Sequence, residues 1–262
     1  MSESSVIGLA GVVPVVAEPS LKSERVTELV TGETAAVLDR HAEWRRVRLD
    51  GDGMEGWLHQ GYVVEAGRDA ALDWRARAAG WSEGAVVRSG QTLVRLPLRA
   101  RVELTPAGVR LPDGRAAELI AGSVLPYAEV VRSARRISAG SWAVARFGGT
   151  PYQWGGVTPW GADCSGLVQT TFLARGVSLP RDSHQQAENG RAVDPEHRRA
   201  GDLVFFVENG ARVTHVAMLG PHDTLVHSAL SCGGFVVEPW DKGSRAEGLR
   251  SRLRSVRRLE DS

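Results

Sequence analysis

Gly161-Ala162-Asp163-Cys164-Ser165-Gly166-Leu167-Val168-Gln169 is the stretch on which the reading of this chain turns. After the thiol, Leu167, Val168 and Phe172 repeat at helical spacing and Gly176 supplies a stop, which predicts a helix beginning at Cys164. A thiol on the first turn of a helix faces the positive end of the helix dipole and unpaired main-chain N–H groups, so its pKa is expected to fall toward neutrality. His215 and His227 complete a nucleophile-and-base set. Both lie in strand-like runs, 213–219 and 224–228, separated by Gly220-Pro221-His222-Asp223, which predicts a β-hairpin. Setting the two histidines directly opposite each other centres the turn on Pro221 and requires an odd loop, since an even one would put them on opposite faces. In that register His215 takes the thiol proton while His227 fixes its tautomer and ring direction.

Rival uses of these side chains are fewer. Free cysteines are commonly buried small hydrophobes, a reading that suits Cys232 beside Gly233-Gly234 better than Cys164. Zinc held by Cys164, His215, His227 and Cys232 lacks the close ligand pairs usual in structural sites, so no metal is expected. A disulfide between the two cysteines would abolish the nucleophile.

Residues 143 to 232 resemble the NlpC-type, papain-like bacterial cell-wall peptidases, which cleave γ-D-glutamyl bonds in murein peptides. The likeness rests on motifs in family order: Thr150-Pro151-Tyr152-Gln153-Trp154-Gly155-Gly156, the Asp163-Cys164-Ser165-Gly166 segment, Leu179-Pro180-Arg181-Asp182-Ser183, Gly201-Asp202-Leu203-Val204-Phe205-Phe206, and the two histidines. The resemblance implies Tyr152 near the oxyanion, Ser183 at the D-Glu position, Ser165 against substrate backbone and Asp163 on the substrate amine. No organic cofactor is implied.

Upstream, 12–17, 34–39, 44–49 and 55–59 read as short strands, with Asp50-Gly51-Asp52-Gly53 the clearest hairpin turn. Gly32-Glu33, Trp44-Arg45-Arg46-Val47 and Gly56-Trp57-Leu58 resemble a bacterial SH3-like barrel. A weaker version runs from Gly84 to Val131, after an Ala- and Arg-rich connector in which Leu72 and Trp74 are available for packing, and 133–147 reads as a helix leading into the catalytic part. The expected class is therefore α+β, with a first SH3-like barrel and its N-terminal segment in 1–66, a connector and second, divergent barrel in 67–131, and a papain-like domain in 132–262.

Two barrels before such a peptidase resemble the subgroup that trims free murein peptides, the first barrel roofing one end of the groove. By that resemblance the substrate is a murein tripeptide or tetrapeptide with a free N-terminal L-Ala, cut between γ-D-Glu and L-Lys or diaminopimelate in the course of peptide recycling. A buried ammonium needs a carboxylate, for which Asp163 and, from the barrel, Glu24 are the candidates. Met54 stands where related barrels carry a substrate-binding tyrosine. A non-catalytic peptide-binding protein, or an amidase or transpeptidase on the same fold, are the alternatives.

Composition fits an ordinary globular chain, with 42% hydrophobic and 24% charged residues and a formal net charge of +1, which leaves no nucleic-acid footprint. The arginines between Arg245 and Arg258 are interrupted by Glu247, Leu249, Leu253 and Val256 and read as a solvated face or final strand. No stretch approaches the roughly 20 apolar residues of a membrane span. The first ten residues lack a basic, apolar leader pattern, so a cytoplasmic location is the expectation. Oligomeric state is not legible.

Overall fold

The computed structural model describes residues 4–208 and 210–260. The chain divides into two compact units, one ending at Val130 and the other beginning at Val131. The first holds two β-structures. Strands β1 (Ser4–Gly8), β2 (Val12–Val16), β3 (Arg25–Val30), β4 (Thr34–His41), β5 (Trp44–Leu49), β6 (Glu55–His59) and β7 (Val63–Gly67) form an antiparallel sheet in the order β3-β2-β6-β5-β4-β1-β7. Alternation turns Val13, Val15, Val47, Leu49 and Leu58 into one core, while Arg46 and Arg48 face outward and pair with Glu55. The Asp50–Gly53 turn is closed by Gly53 at φ +76° and by the Asp52 carboxylate, which accepts the Met54 N–H at 2.9 Å.

Helix α1 (Arg68–Arg77) buries Ala71 and Trp74, whose indole N–H donates to the Gly32 carbonyl at 2.8 Å. Leu72, expected to pack, is 46% exposed instead, because it lies on the helix face away from that contact. Strands β8 (Gly80–Ser89), β9 (Thr92–Thr105), β10 (Gly108–Arg110), β11 (Ala116–Ala121) and β12 (Val124–Pro126) follow, and β11 pairs with both β10 and β8, so this sheet closes on itself. The buried Arg99 reaches back to Glu33 at 2.6 Å.

In the second unit the single helix expected over 133–147 is two, α2 (Tyr127–Ala134, crossing the unit boundary) and α3 (Ala139–Phe147). Ser138 breaks them, its hydroxyl capping the Ser141 N–H at 3.1 Å. The short hairpin β13 (Val157–Thr158) and β14 (Gly161–Ala162) leads into α4 (Cys164–Ala174), and α5 (Ser183–Gln186) follows. A six-stranded antiparallel sheet is built from β15 (Arg191–Val193), β16 (Leu203–Val207), β17 (Val213–Leu219), β18 (Thr224–Ala229), β19 (Gly234–Pro239) and β20 (Leu253–Arg258), in the order β15-β20-β16-β17-β18-β19. The strand reading of the Arg-rich C-terminal stretch thus holds for 253–258, after a 3-10 segment over Arg245–Arg252.

Helix α4 packs on β17, β18, β13 and α3 and is buried on nearly every side. Its polar residues are satisfied inside: Thr170 donates to the Val157 carbonyl at 2.7 Å and Gln169 to that of Leu179 at 3.1 Å. Gly176 closes the helix at φ +77°. No helix among the described residues is long and apolar enough to cross a membrane.

Candidate active site

Asp163 is the N-cap of α4. Its carboxylate accepts the Gly166 N–H at 2.8 Å and the Gly155 N–H at 2.9 Å, which ties the first turn of the helix to the Tyr152–Gly156 loop. Gly166 is required by the closeness of that approach, since a Cβ there would stand 2.0 Å from the Gly156 carbonyl oxygen. Cys164 follows the cap, a free thiol at 9% exposure.

The expected fall of the thiol pKa is overturned. Burial pushes Cys164 up to about 12 and the Asp163 charge adds to it, outweighing the main-chain groups of Val216 and Ser165 that hydrogen-bond the sulfur and the nearby Arg181. The helix terminus is there, but the cost of desolvating a thiolate exceeds what its dipole returns. Burial thus favours the neutral thiol over the thiolate at Cys164.

The histidine hairpin forms with a different register from direct opposition. Met218 pairs with Val226 and Leu219 with Leu225, which centres the turn on His222 and leaves five residues in the loop. His222 and Asp223 both adopt φ +54°, and the turn centre lies one residue past Pro221, which moves each cross-strand partner by two residues. The histidines still share a face, now diagonally, and His215 Nε2 lies 2.8 Å from His227 Nδ1. His215 stacks on Phe206, ring centroids 5.9 Å apart. Burial and the neighbouring His227 hold the His215 pKa down at about 3, and burial likewise lowers His227. The Cys164 sulfur is hydrogen-bonded by the main chain of Val216, the residue after His215 in the middle of β17, and Cys164 and His215 make no direct hydrogen bond to each other.

The chain of partners continues past the residues that sequence reasoning named. His227 Nε2 is 2.8 Å from Glu238 Oε1, and Glu238 is clasped by Arg245 through Nε at 2.8 Å and Nη2 at 2.5 Å. Val236 pairs with His227 in the β18–β19 hairpin, so Glu238, two residues on, falls on the same face. Carrying the register one hairpin further, past Gly233-Gly234, would have found it.

Arg181 was the other omission. Its guanidinium, 2% exposed, donates to Asp163 Oδ2 at 2.6 Å and to Ser165 Oγ at 2.7 Å. The hydroxyl of Ser165 also lies 3.3 Å from Asp163 Oδ1, which ties this serine into the cap network. Asp163 therefore has four protein donors, and a substrate ammonium reaching it must share an oxygen with one of them.

Tyr152 is half-buried beside Cys164 and Asp163, which together with burial raise its phenol above the usual range and keep it a proton donor. Ser183 opens α5, packed on β17, and is 9% exposed. Glu24 is exposed between β2 and β3 in the first unit. Cys232 is partly buried next to Arg245. Among the described residues no group of three His, Cys, Asp or Glu side chains is arranged to hold a metal ion.

Comparison with known proteins places these features. Residues 149–250 match the NlpC/P60 family and residues 15–61 the bacterial dipeptidyl-peptidase SH3 domain. The chain is 44% identical over 84 residues to a γ-D-glutamyl-L-lysine dipeptidyl-peptidase of Bacillus cereus, covering 31% of this chain and 25% of that protein. It is 41% identical over 86 residues to the protein of the same name in Bacillus subtilis, covering 32% and 29%. It thus spans between a quarter and a third of the length of these two relatives. A crystal structure of an NlpC/P60 family protein from Bacillus cereus aligns over 97% of this chain and 99% of its own, with a TM-score of 0.76 at 20% identity, a likeness of fold. The chain thus carries a papain-like NlpC/P60 domain behind a bacterial dipeptidyl-peptidase SH3 domain.

Proposed function

We propose that this chain is a cysteine peptidase that hydrolyses the bond between the γ-carboxyl of D-Glu and L-Lys or diaminopimelate in free murein tripeptides and tetrapeptides, releasing L-Ala-γ-D-Glu for reuse. The observation that carries the reading is the thiol at the capped start of α4, hydrogen-bonded by the main chain of Val216 in β17, with the preceding His215, half-buried, 2.8 Å from the buried His227. The names of the two Bacillus relatives and of the SH3 domain support the bond and the dipeptide product.

The thiol is neutral and the imidazole is neutral, so attack and proton transfer are coupled: sulfur adds to the γ-carbonyl as its proton passes to His215. The tetrahedral oxyanion meets the Cys164 main-chain N–H and the Tyr152 hydroxyl. The His215 imidazolium then gives its proton to the leaving amine, and water activated by the same ring hydrolyses the thioester. Ser183, in the helix packed against β17, serves the D-Glu α-carboxylate, and the free L-Ala ammonium is matched by Asp163, sharing its oxygens with Arg181.

Mass spectrometry of products from L-Ala-γ-D-Glu-L-Lys tests the reading. Release of L-Ala-γ-D-Glu is expected; binding without turnover would make the chain a peptide-binding protein, and an amine adduct a transpeptidase. The N-acetyl peptide should be worse in kcat/KM by about 10- to 150-fold, the loss of one charge-assisted contact. Equal rates on both peptides would refute amine recognition and point to an endopeptidase that accepts extended chains.

A further inference from the structure

We propose that Glu238, clasped by Arg245, is a positioning residue that decides which nitrogen of His215 acts as the base, an inference that rests on the peptidase reading of Cys164 and His215. A carboxylate bound twice to a guanidinium is ionised and only accepts hydrogen bonds. His227 Nε2, 2.8 Å from Glu238 Oε1, must therefore carry its proton. Burial keeps the ring neutral, which leaves a lone pair on His227 Nδ1. That lone pair lies 2.8 Å from His215 Nε2, so His215 must donate from Nε2 and hold its own lone pair on Nδ1. One charge thus fixes two tautomers in series, and the thiol proton has a single destination.

Among the described residues, the ionisable groups on the elements around His215 are matched elsewhere or, like Tyr152 beside Cys164, keep their proton. Strand β16, which pairs with β17, offers His215 only Leu203, Val204, Phe205, Phe206 and Val207. From α4 come Cys164 and its cap Asp163, which is matched by Arg181; from α5 comes His184, in contact with Arg212; α3 carries Arg146 alone as an ionisable group. Arg245 faces Glu238, Ser231 and Cys232. Glu238 is 7% exposed, so water does not substitute for it.

Glutamine at 238 breaks the logic without changing the shape. Arg245 presents an N–H to each carboxylate oxygen, so the amide NH2 meets a guanidinium donor in either orientation. With NH2 toward His227, the series reverses: His227 donates from Nδ1, His215 accepts at Nε2, and His215 Nδ1 carries a proton and cannot serve as base.

The test uses the whole chain and needs no substrate. Nitrogen-15 NMR of the histidine rings at pH 7.5, assigned with His215→Gln and His227→Gln, should show both rings protonated at Nε2 and bare at Nδ1. In Glu238→Gln at least about nine-tenths of His215 should convert to the Nδ1–H form, and alkylation of Cys164 by iodoacetamide, followed on its own peptide to exclude Cys232, should slow at least tenfold in proportion. With L-Ala-γ-D-Glu-L-Lys the loss should fall on kcat with KM within twofold, and Arg245→Met, which keeps the carboxylate, should lose less than Glu238→Gln. His215 protonated at Nδ1 in the unmodified chain overturns the proposal, and so does alkylation of Glu238→Gln within threefold of the unmodified rate. Because the ring tautomers and the alkylation are read without substrate, failure to cleave the peptide would refute the peptidase reading while leaving this one decided.

Discussion

Replacing Arg181 with methionine should cost about 3 to 5 kcal/mol of stability, because it strands a buried carboxylate while keeping most of the side-chain volume. The two charged side chains are 2% and 8% exposed and 2.6 Å apart, so solvent screens them poorly. Asp163 retains the N–H groups of Gly155 and Gly166, at 2.9 and 2.8 Å, which places the expected loss near the lower figure. Ser165 loses its 2.7 Å donor at the same time. The magnitude comes from leaving one charge unmatched, not from the worth of the pair, so adding Asp163→Asn should recover at least about 1 kcal/mol by removing that charge. Urea titrations at pH 7, followed by far-ultraviolet circular dichroism on the two single variants and the double variant, give the cycle. A loss below about 1 kcal/mol in Arg181→Met, or a double variant no better than it, would refute the view that this pair holds the start of α4.

Three further outcomes follow from the same geometry. With Cys164 pushed up to about 12 and His215 down to about 3, alkylation by iodoacetamide assisted by His215 should stay nearly flat from pH 6 to 9, whereas in His215→Gln it should climb about tenfold per pH unit; the same climb in the unmodified chain would mean that His215 does not take the thiol proton. His215 binds a proton only below about 3 when folded but below 6.5 when unfolded, so its contribution to stability is whole above pH 6.5 and is lost as pH falls toward 3, by up to about 1.4 kcal/mol per unit. Thermal melts between pH 7 and 4 should accordingly be flatter for His215→Gln than for the unmodified chain, and equal slopes would contradict this. Gly166→Ala should abolish turnover and lower the Tm, because its Cβ would sit 2.0 Å from the Gly156 oxygen; full activity would show that the loop and helix need not meet so closely.

Much of the fold is written in local punctuation. Asp50–Gly53 bounds β5 and β6, and both strands fall at 44–49 and 55–59, where alternation places them. Gly176 ends α4 as a left-handed stop. What escaped was set by features that pattern does not carry. The hairpin of His215 and His227 turns about left-handed His222, a conformation such residues adopt without announcing it, rather than about Pro221, which shifts its register by two. The thiol pKa depends on how completely α4 is enclosed, and its apolar spacing looks the same on a half-exposed helix. Glu238 and Arg181 are separated in sequence from the groups they serve, by 11 residues from His227 and 18 from Asp163, and only pairing of strands or packing of loops brings them together. The candidate thiol and histidines were therefore legible as residue types in order along the chain, while Glu238 and Arg181, which bind their partners, became visible only in three dimensions.

The central claim is that Cys164 forms a covalent thioester with the γ-glutamyl carbonyl. Rapid quenching of the chain with L-Ala-γ-D-Glu-L-Lys in acid, followed by peptide-resolved mass spectrometry, reads it directly. The account predicts an L-Ala-γ-D-glutamyl adduct on the peptide containing Cys164, decaying as the free dipeptide appears, and neither species with a folded Cys164→Ala variant. Release of the dipeptide by Cys164→Ala at the unmodified rate would contradict it.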